Sequence, residues 1–240
     1  MDHSVRIGSV RIGLELPALP AGATAAQAAE WRAMAVAADT AGFGSVWVAG
    51  GGCDPCTLAG GLVPLTTTVT LGVVADLAGG RHPAVLARDL TGLDVLSGGR
   101  SAALLVAPPT ADGLLLGEAV AICRALFAGD AAHLHGRHYS VDGAVNRPGP
   151  VRAGGPPLLA AGPVRAGGAA VDGWVVTGPV DAVAAARASG DRPVLWRGAV
   201  PDAATVDAVL RAGADGVVAR VASAGQVPAL ADLLLGRWPG

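Results

Sequence analysis

Residues 69–107 read VTLGVVADLAGGRHPAVLARDLTGLDVLSGGRSAALLVA. Two continuously apolar runs, Val69 to Ala75 and Ala102 to Ala107, flank a stretch from Pro83 to Leu96 whose apolar residues recur at helical spacing. Strands that are apolar on both faces suit a parallel sheet covered by helices, not the half-polar alternation of an exposed antiparallel sheet. The stretch is therefore a strand–helix–strand unit. Working outward, the same unit recurs. Further strands are expected at Ile7 to Leu16, Ser45 to Ala49, Pro157 to Ala161, Trp174 to Thr177, Pro193 to Arg197 and Gly216 to Val221. Further helices are expected at Thr24 to Ala41, Asp54 to Leu65, Leu114 to Phe127, Val180 to Ser189, Asp202 to Ala212 and Ser223 to Leu235. End signals support them: Thr24 with Gln27 has capping-box spacing, Gly42 is a stop, Asp54-Pro55 is an N-cap followed by a first-turn proline, and Asp202 and Ser223 are further caps.

Eight strand–helix units predict an α/β chain folded as a compact, parallel, eight-stranded (β/α)8 TIM-type barrel with trimmed βα loops, since about 250 residues is typical of that fold. A doubly wound open sheet is the alternative. No composition break divides residues 1–240, so one domain is expected, with 129–155 as a loop or hairpin insertion within it. The Gly-rich stretch Val164 to Ala170 makes the fifth crossover the weakest unit.

Composition excludes several classes. With 52% hydrophobic and 15% charged residues and 36 glycines, the chain is a folded globule, not a disordered tail. No run approaches the roughly 20 apolar residues of a membrane span. Met1-Asp2-His3-Ser4-Val5-Arg6 lacks the pattern of a secretory signal, so a cytoplasmic location is expected. A net charge of −2 with scattered arginines gives no footprint for nucleic acid. The chain contains no lysine, which removes Schiff-base chemistry and the P-loop lysine. Three cysteines do not make a disulfide framework.

Several strings occur in an order that resembles the bacterial luciferase-like family of flavin- or deazaflavin-dependent oxidoreductases. They are Ala41-Gly42-Phe43-Gly44-Ser45-Val46-Trp47, Asp54-Pro55-Cys56-Thr57-Leu58-Ala59, Arg81-His82-Pro83-Ala84-Val85-Leu86-Ala87, and Leu93-Asp94-Val95-Leu96-Ser97-Gly98-Gly99-Arg100. Gly117-Glu118-Ala119, Gly136-Arg137-His138-Tyr139, Pro156-Pro157-Leu158-Leu159 and Asp172-Gly173-Trp174 follow. The resemblance implies a barrel with a flavin-type ring, FMN or the deazaflavin coenzyme F-420, at its C-terminal mouth. It also implies hydride transfer between that ring and a small organic substrate, and frequently a homodimer. The chain departs from the family at three places on the rim. Val48-Ala49-Gly50-Gly51-Gly52-Cys53 runs directly into Asp54-Pro55 without an acidic residue or His, Val106-Ala107-Pro108-Pro109-Thr110 turns straight into the fourth helix, and the stretch from Gly162 to Asp172 is short.

In such a barrel the functional groups sit at C-terminal strand ends. Glu15 is placed to act as a general base or acceptor, or to be a rim carboxylate paired with arginine. By the resemblance, Ala75 and Asp76 lie where the family backbone bends beside the ring, making them cofactor contacts and Asp76 a catalytic candidate. His82 is a candidate acid–base partner, or a capping residue. Gly162, Pro163 and Arg165 offer a loop-to-helix junction for a phosphate. Trp47 and Trp196 end strands and are candidates to line the pocket. Cys53-x-x-Cys56 has redox spacing, but its Asp-Pro core already serves as a helix start. His133, His135 and His138 cluster without Cys or carboxylate ligands, so no metal is expected. The leading reading is a flavin- or deazaflavin-dependent oxidoreductase or monooxygenase. Two others stand beside it: a catalytically silent barrel that binds a ligand or serves in a heteromeric assembly, motivated by the trimmed loops, and a dithiol redox protein.

Overall fold

The computed structural model describes residues 8, 11–79, 81–162, 170–200 and 202–237. Four strands open the chain: β1 (Ile12–Glu15), β2 (Ser45–Ala49), β3 (Thr70–Asp76) and β4 (Ser101–Val106). Four more follow later, β7 (Leu158–Ala161), β8 (Gly173–Thr177), β9 (Val194–Gly198) and β10 (Gly216–Arg220). Together they close in the order β1-β10-β9-β8-β7-β4-β3-β2, and every barrel pairing is parallel. Helices α1 (Ala25–Ala41), α2 (Pro55–Leu62), α3 (Pro83–Ser97), α4 (Gly113–Ala128), α5 (Asp181–Ala188), α6 (Ala203–Arg211) and α7 (Val227–Leu234) surround it. This is the expected (β/α)8 barrel. None of these helices is long and apolar enough to cross a membrane.

Alternation along each strand explains the continuous apolar runs. Val46 and Val48 of β2 face the helix layer, while Trp47 joins Ala102, Leu104, Leu159, Val175, Leu195 and Val218 in a separate cluster that fills the barrel interior. Both faces of a strand are thus buried, one against helices and one against the opposite wall. The indole of Trp47 is the largest fully buried side chain, and its Nε1–H donates to Ser45 Oγ at 2.9 Å. Glycine supplies its space: a Cβ on Gly72 would lie 2.3 Å from the ring.

The local end signals act as the sequence suggests, with one exception. Thr24 and Gln27 form a reciprocal capping box, and Gly42 ends α1 at φ +90°. Asp54 and Asp202 each accept from the backbone three residues on. Ser223 makes no side-chain cap; a 3-10 turn, Ala224–Gln226, intervenes before α7, and Ala222 N–H donates to Gln226 Oε1 instead. The first strand is shorter than expected, and the proposed Ile7 start and most of the Val164 to Ala170 stretch lie outside the described residues.

Between α4 and β7 the chain forms an antiparallel hairpin of β5 (Ala132–His135) and β6 (Ser140–Ala144). Glu118 of α4 holds its tip, accepting backbone N–H groups from Arg137, His138 and Tyr139 at 2.7 to 2.9 Å. Two other carboxylates clamp loops to the barrel base. Asp39, at the end of α1, accepts from the backbone and hydroxyls of Thr67 and Thr68 and from Val69 N–H. Asp94, fully buried, accepts from Ser101 Oγ and from the N–H groups of Val151 and Arg152. Hydrogen bonds to a charged acceptor are the stronger kind, which suits them to fixing irregular chain.

Candidate functional site

A cavity of about 740 Å³ opens at the C-terminal mouth of the barrel. Its floor is Val74 and Val106, which rest on the Trp47 cluster. One wall is the loop of residues 50–54 after β2, and the remaining polar lining includes Asp76, Arg81 and Arg197. The loop after β2 offers backbone here because it is pressed against the loop after β1. Ala21 N–H donates to Gly51 O at 3.2 Å, and a Cβ on Gly51 would come within 2.8 Å of Leu19 O. Gly52, at φ +120°, faces Ala21 equally closely. Glycine is what lets the two loops touch.

The charges at the mouth fall into two groups. On one side Glu15 is buried and meets two arginines: Arg197 Nε and Nη2 both donate to it, the former at 2.7 Å, and Arg220 Nε donates at 3.3 Å. On the other side Arg81 donates to Asp54, to Asp89 at 3.0 Å and to Cys56 Sγ at 3.8 Å. Partial burial pushes the Asp54 carboxyl up, but Thr57 and Arg81 outweigh it and hold it below the usual carboxylate range. Asp89 is raised, by burial first. Asp76 uses Oδ1 to accept Ala78 N–H at 2.8 Å in a short turn. Its Oδ2 has no protein partner among the described residues.

The structure sorts the candidates from the sequence. Ala75 and Asp76 line the cavity, as expected of residues at the end of β3. Glu15 is the arginine-paired rim carboxylate and not a free base, because both its oxygens accept from guanidinium groups. Trp47 does not reach the mouth: it is 1% exposed and lies one interior layer below it. Trp196 faces the helix layer, where Nε1 donates to Gly178 O. His82 is the capping residue. Its Nδ1 accepts from Ala84 N–H and its Nε2 lies 3.2 Å from Ser140 O, so the proton belongs on Nε2 and both ring nitrogens are engaged away from the cavity. Its ring also meets Tyr139 edge-on at 5.5 Å, tying the hairpin to the start of α3. Gly162 does not present its N–H to a phosphate, since that group donates to Val175 O at 2.8 Å. Pro163 and Arg165 lie outside the described residues.

The cysteine and histidine motifs separate as well. Cys56 is buried, which together with Asp54 and Asp89 pushes its thiol up to about 12, the reverse of a reactive thiolate. Cys53 is exposed and unpaired. His133, His135 and His138 turn to Asp142, Ser140 and Asp112 respectively, and no cluster of three or more ligating side chains occurs among the described residues.

Sequence reasoning missed Arg197 and Arg220. Both stand at the C-terminal end of a strand, Arg197 one residue before the end of β9 and Arg220 at the end of β10, where the rule that selected Glu15 and Asp76 applies equally. The pairing that brings them together spans 182 and 205 residues of chain.

Comparison with known proteins adds the relationship. Residues 11–206 match the family model described as luciferase-like monooxygenase. No curated protein matches the sequence. Among solved structures, the coenzyme F-420-dependent tetrahydromethanopterin reductase from Methanopyrus kandleri superposes with a TM-score of 0.78 at 12% identity, over 95% of this chain and 99% of that one. The monooxygenase RslO1 from Streptomyces bottropensis gives 0.71 at 17% identity, over 94% and 99%. The oxygenating constituent of 3,6-diketocamphane monooxygenase from Pseudomonas putida, solved with FMN, gives 0.60 at 18% identity, over 79% and 67%. Set on the closed eight-stranded barrel and its open mouth, the match over residues 11–206 shows that this chain belongs to the luciferase-like monooxygenase family.

Proposed function

We propose that this protein is a flavin- or deazaflavin-dependent oxidoreductase that transfers a hydride between the cofactor and a small organic substrate at the barrel mouth. The observation that carries this reading is the cavity itself: an apolar floor of Val74 and Val106 with a guanidinium, Arg197, and a carboxylate, Asp76, on its rim. Its volume of about 740 Å³ falls within the range of cofactor and ligand sites, about 300–1,000 Å³. That combination suits a planar ring system, with valines for its face and charged groups for its polar edge. The names of the solved relatives, one dependent on F-420 and one holding FMN, support the cofactor class.

A flavin-type ring supplies two-electron hydride chemistry when bound. The residues of the chain provide its setting. Val74, Val106 and Ala75 would pack against the ring and exclude water. Arg197, held by Glu15, would offer a fixed guanidinium to a polar or negatively charged group bound in the cavity. Asp76 Oδ2 is free to accept or return a proton at the substrate. The strands β3 and β9 that carry Asp76 and Arg197 are four places apart in a ring of eight, so the acid and the cation face each other across the mouth.

Absorbance titration with FMN and with F-420, each oxidised and reduced, tests the reading. Saturable binding of one at micromolar concentration is expected, with turnover that falls when Asp76 is replaced by Asn. No binding of either refutes it. The silent-barrel reading is favoured by one observation, that Glu15, His82 and Gly162 are all committed to contacts within the protein. Cofactor turnover that depends on Asp76 would exclude it.

A further inference from the structure

The ends of β1, β9 and β10 bring two guanidinium groups onto one carboxylate. Glu15 and Arg220 are register partners on adjacent strands, and Arg197 reaches Glu15 from the next strand round. The Glu15 side chain is 8% exposed, Arg197 17% and Arg220 52%. Glu15 neutralises one positive charge and leaves the other. It also fixes the arginines by their Nε edges: Arg197 donates through Nε and Nη2, Arg220 through Nε. Arg197 Nη1 and both terminal nitrogens of Arg220 have no protein partner among the described residues. The other carboxylates nearby are engaged or distant. Asp202, after β9, caps α6, and Asp76 stands on the opposite wall.

One carboxylate between two guanidinium groups leaves the cluster with a net positive charge, and the remaining donors are accessible, Arg220 being half-exposed, so an anion can reach them and offset the repulsion between the like charges. The planar fork of arginine matches the paired oxygens of a carboxylate or phosphate. Strands seven and eight of a (β/α)8 barrel, here β9 and β10, are also where such folds frequently seat phosphate. We infer that Arg197 and Arg220, buttressed by Glu15, form an oxyanion subsite, so that the substrate carries a carboxylate or phosphate group. As a statement about substrate, this rests on the proposed function. As a binding site, it stands on the arginine geometry.

Isothermal titration of the full chain at low ionic strength with inorganic phosphate and, separately, malonate tests the subsite. Wild type is expected to bind at least one saturably. Arg220→Gln and Arg197→Lys should each weaken that binding at least about tenfold, equivalent to about 1.4 kcal/mol. Arg220 is half-exposed, so its variant keeps the test valid if Arg197→Lys fails to fold. No binding of either anion by wild type, or unchanged affinity in Arg220→Gln, overturns the subsite. Parallel titrations with FMN and riboflavin distinguish the source of the anion. Equal affinities in wild type and Arg220→Gln support a substrate group, whereas a selective loss of FMN relative to riboflavin overturns that assignment in favour of the cofactor's own phosphate. Phosphate binding without any flavin or F-420 binding refutes the proposed function and leaves the subsite standing. Cofactor binding without anion binding does the reverse.

Discussion

Replacing Gly72 by Ala tests whether the barrel interior is packed as described. The added Cβ would lie 2.3, 2.5 and 2.7 Å from Cε3, Cδ2 and Cζ3 of Trp47, against about 3.5–4.0 Å for an unstrained carbon contact. The ring cannot retreat easily. Its Nε1 is tied to Ser45 Oγ at 2.9 Å, and the position a Gly13 Cβ would take is only 3.1 Å from the same nitrogen. Overpacking of this kind costs about 1–3 kcal/mol. Breaking the Trp47 to Ser45 hydrogen bond in a dry interior adds about 1–3 kcal/mol. A combined loss of about 2–6 kcal/mol lowers the melting temperature by about 4–24 °C, at about 2–4 °C per kcal/mol for a chain of this size. Circular-dichroism melts and urea midpoints of Gly72→Ala and wild type measure it. A cost below about 1 kcal/mol would refute the packing argument. So would an equal cost in a Trp47→Leu background, because the clash belongs to the indole.

Three further outcomes follow from the geometry. Asp39 is held well below the usual carboxylate range because, although burial raises it, the Thr68 hydroxyl and the N–H groups of Thr67, Val69 and Thr68 outweigh that effect. With a depressed folded value and an unfolded one near about 3.9, its stabilisation is full at neutral pH and fades as pH falls through that unfolded value. The stability gap between wild type and Asp39→Asn, read as urea midpoints, should therefore be wider at neutral pH than in acid; an equal gap counts against the clamp. An aromatic disulfide reagent should modify Cys53 quickly and the buried Cys56 and Cys123 only on unfolding, and fast loss of two thiols in the native protein would contradict this. His82→Ala should cost about 1 kcal/mol by uncapping α3 while leaving cofactor affinity intact, so a large loss of affinity at unchanged stability would return the imidazole to the site.

The fold was legible because strands buried on both faces spell themselves as apolar runs. Ser45–Ala49 was readable to the residue, and the caps at Thr24, Asp54 and Asp202 mark their helices. The same continuity hid which way each strand faces. With no polar alternate residues to set the phase, nothing in Ser45-Val46-Trp47-Val48-Ala49 says that the indole points inward. Ser223 misled because a capping residue and a 3-10 turn begin alike, and the choice depends on Gln226 three residues later. Within the site, Ala75 and Asp76 could be read from their place at a strand end. Glu15 as a rim carboxylate paired with arginine could be read too, but not that its partners are Arg197 and Arg220, since that pairing exists only after the barrel closes. His82 read equally well as an acid–base group and as a cap; the hairpin carbonyl of Ser140 decides between them.

The layer that Trp47 anchors separates two kinds of heritable change. The side chains of that layer pack against one another and support the cavity floor of Val74 and Val106, and above that floor stand loops and strand ends. A barrel of this kind can therefore shorten or rebuild its rim without disturbing the packing that keeps it folded. Variation above the indole is free to explore new substrates, and variation below it is answerable mainly to stability.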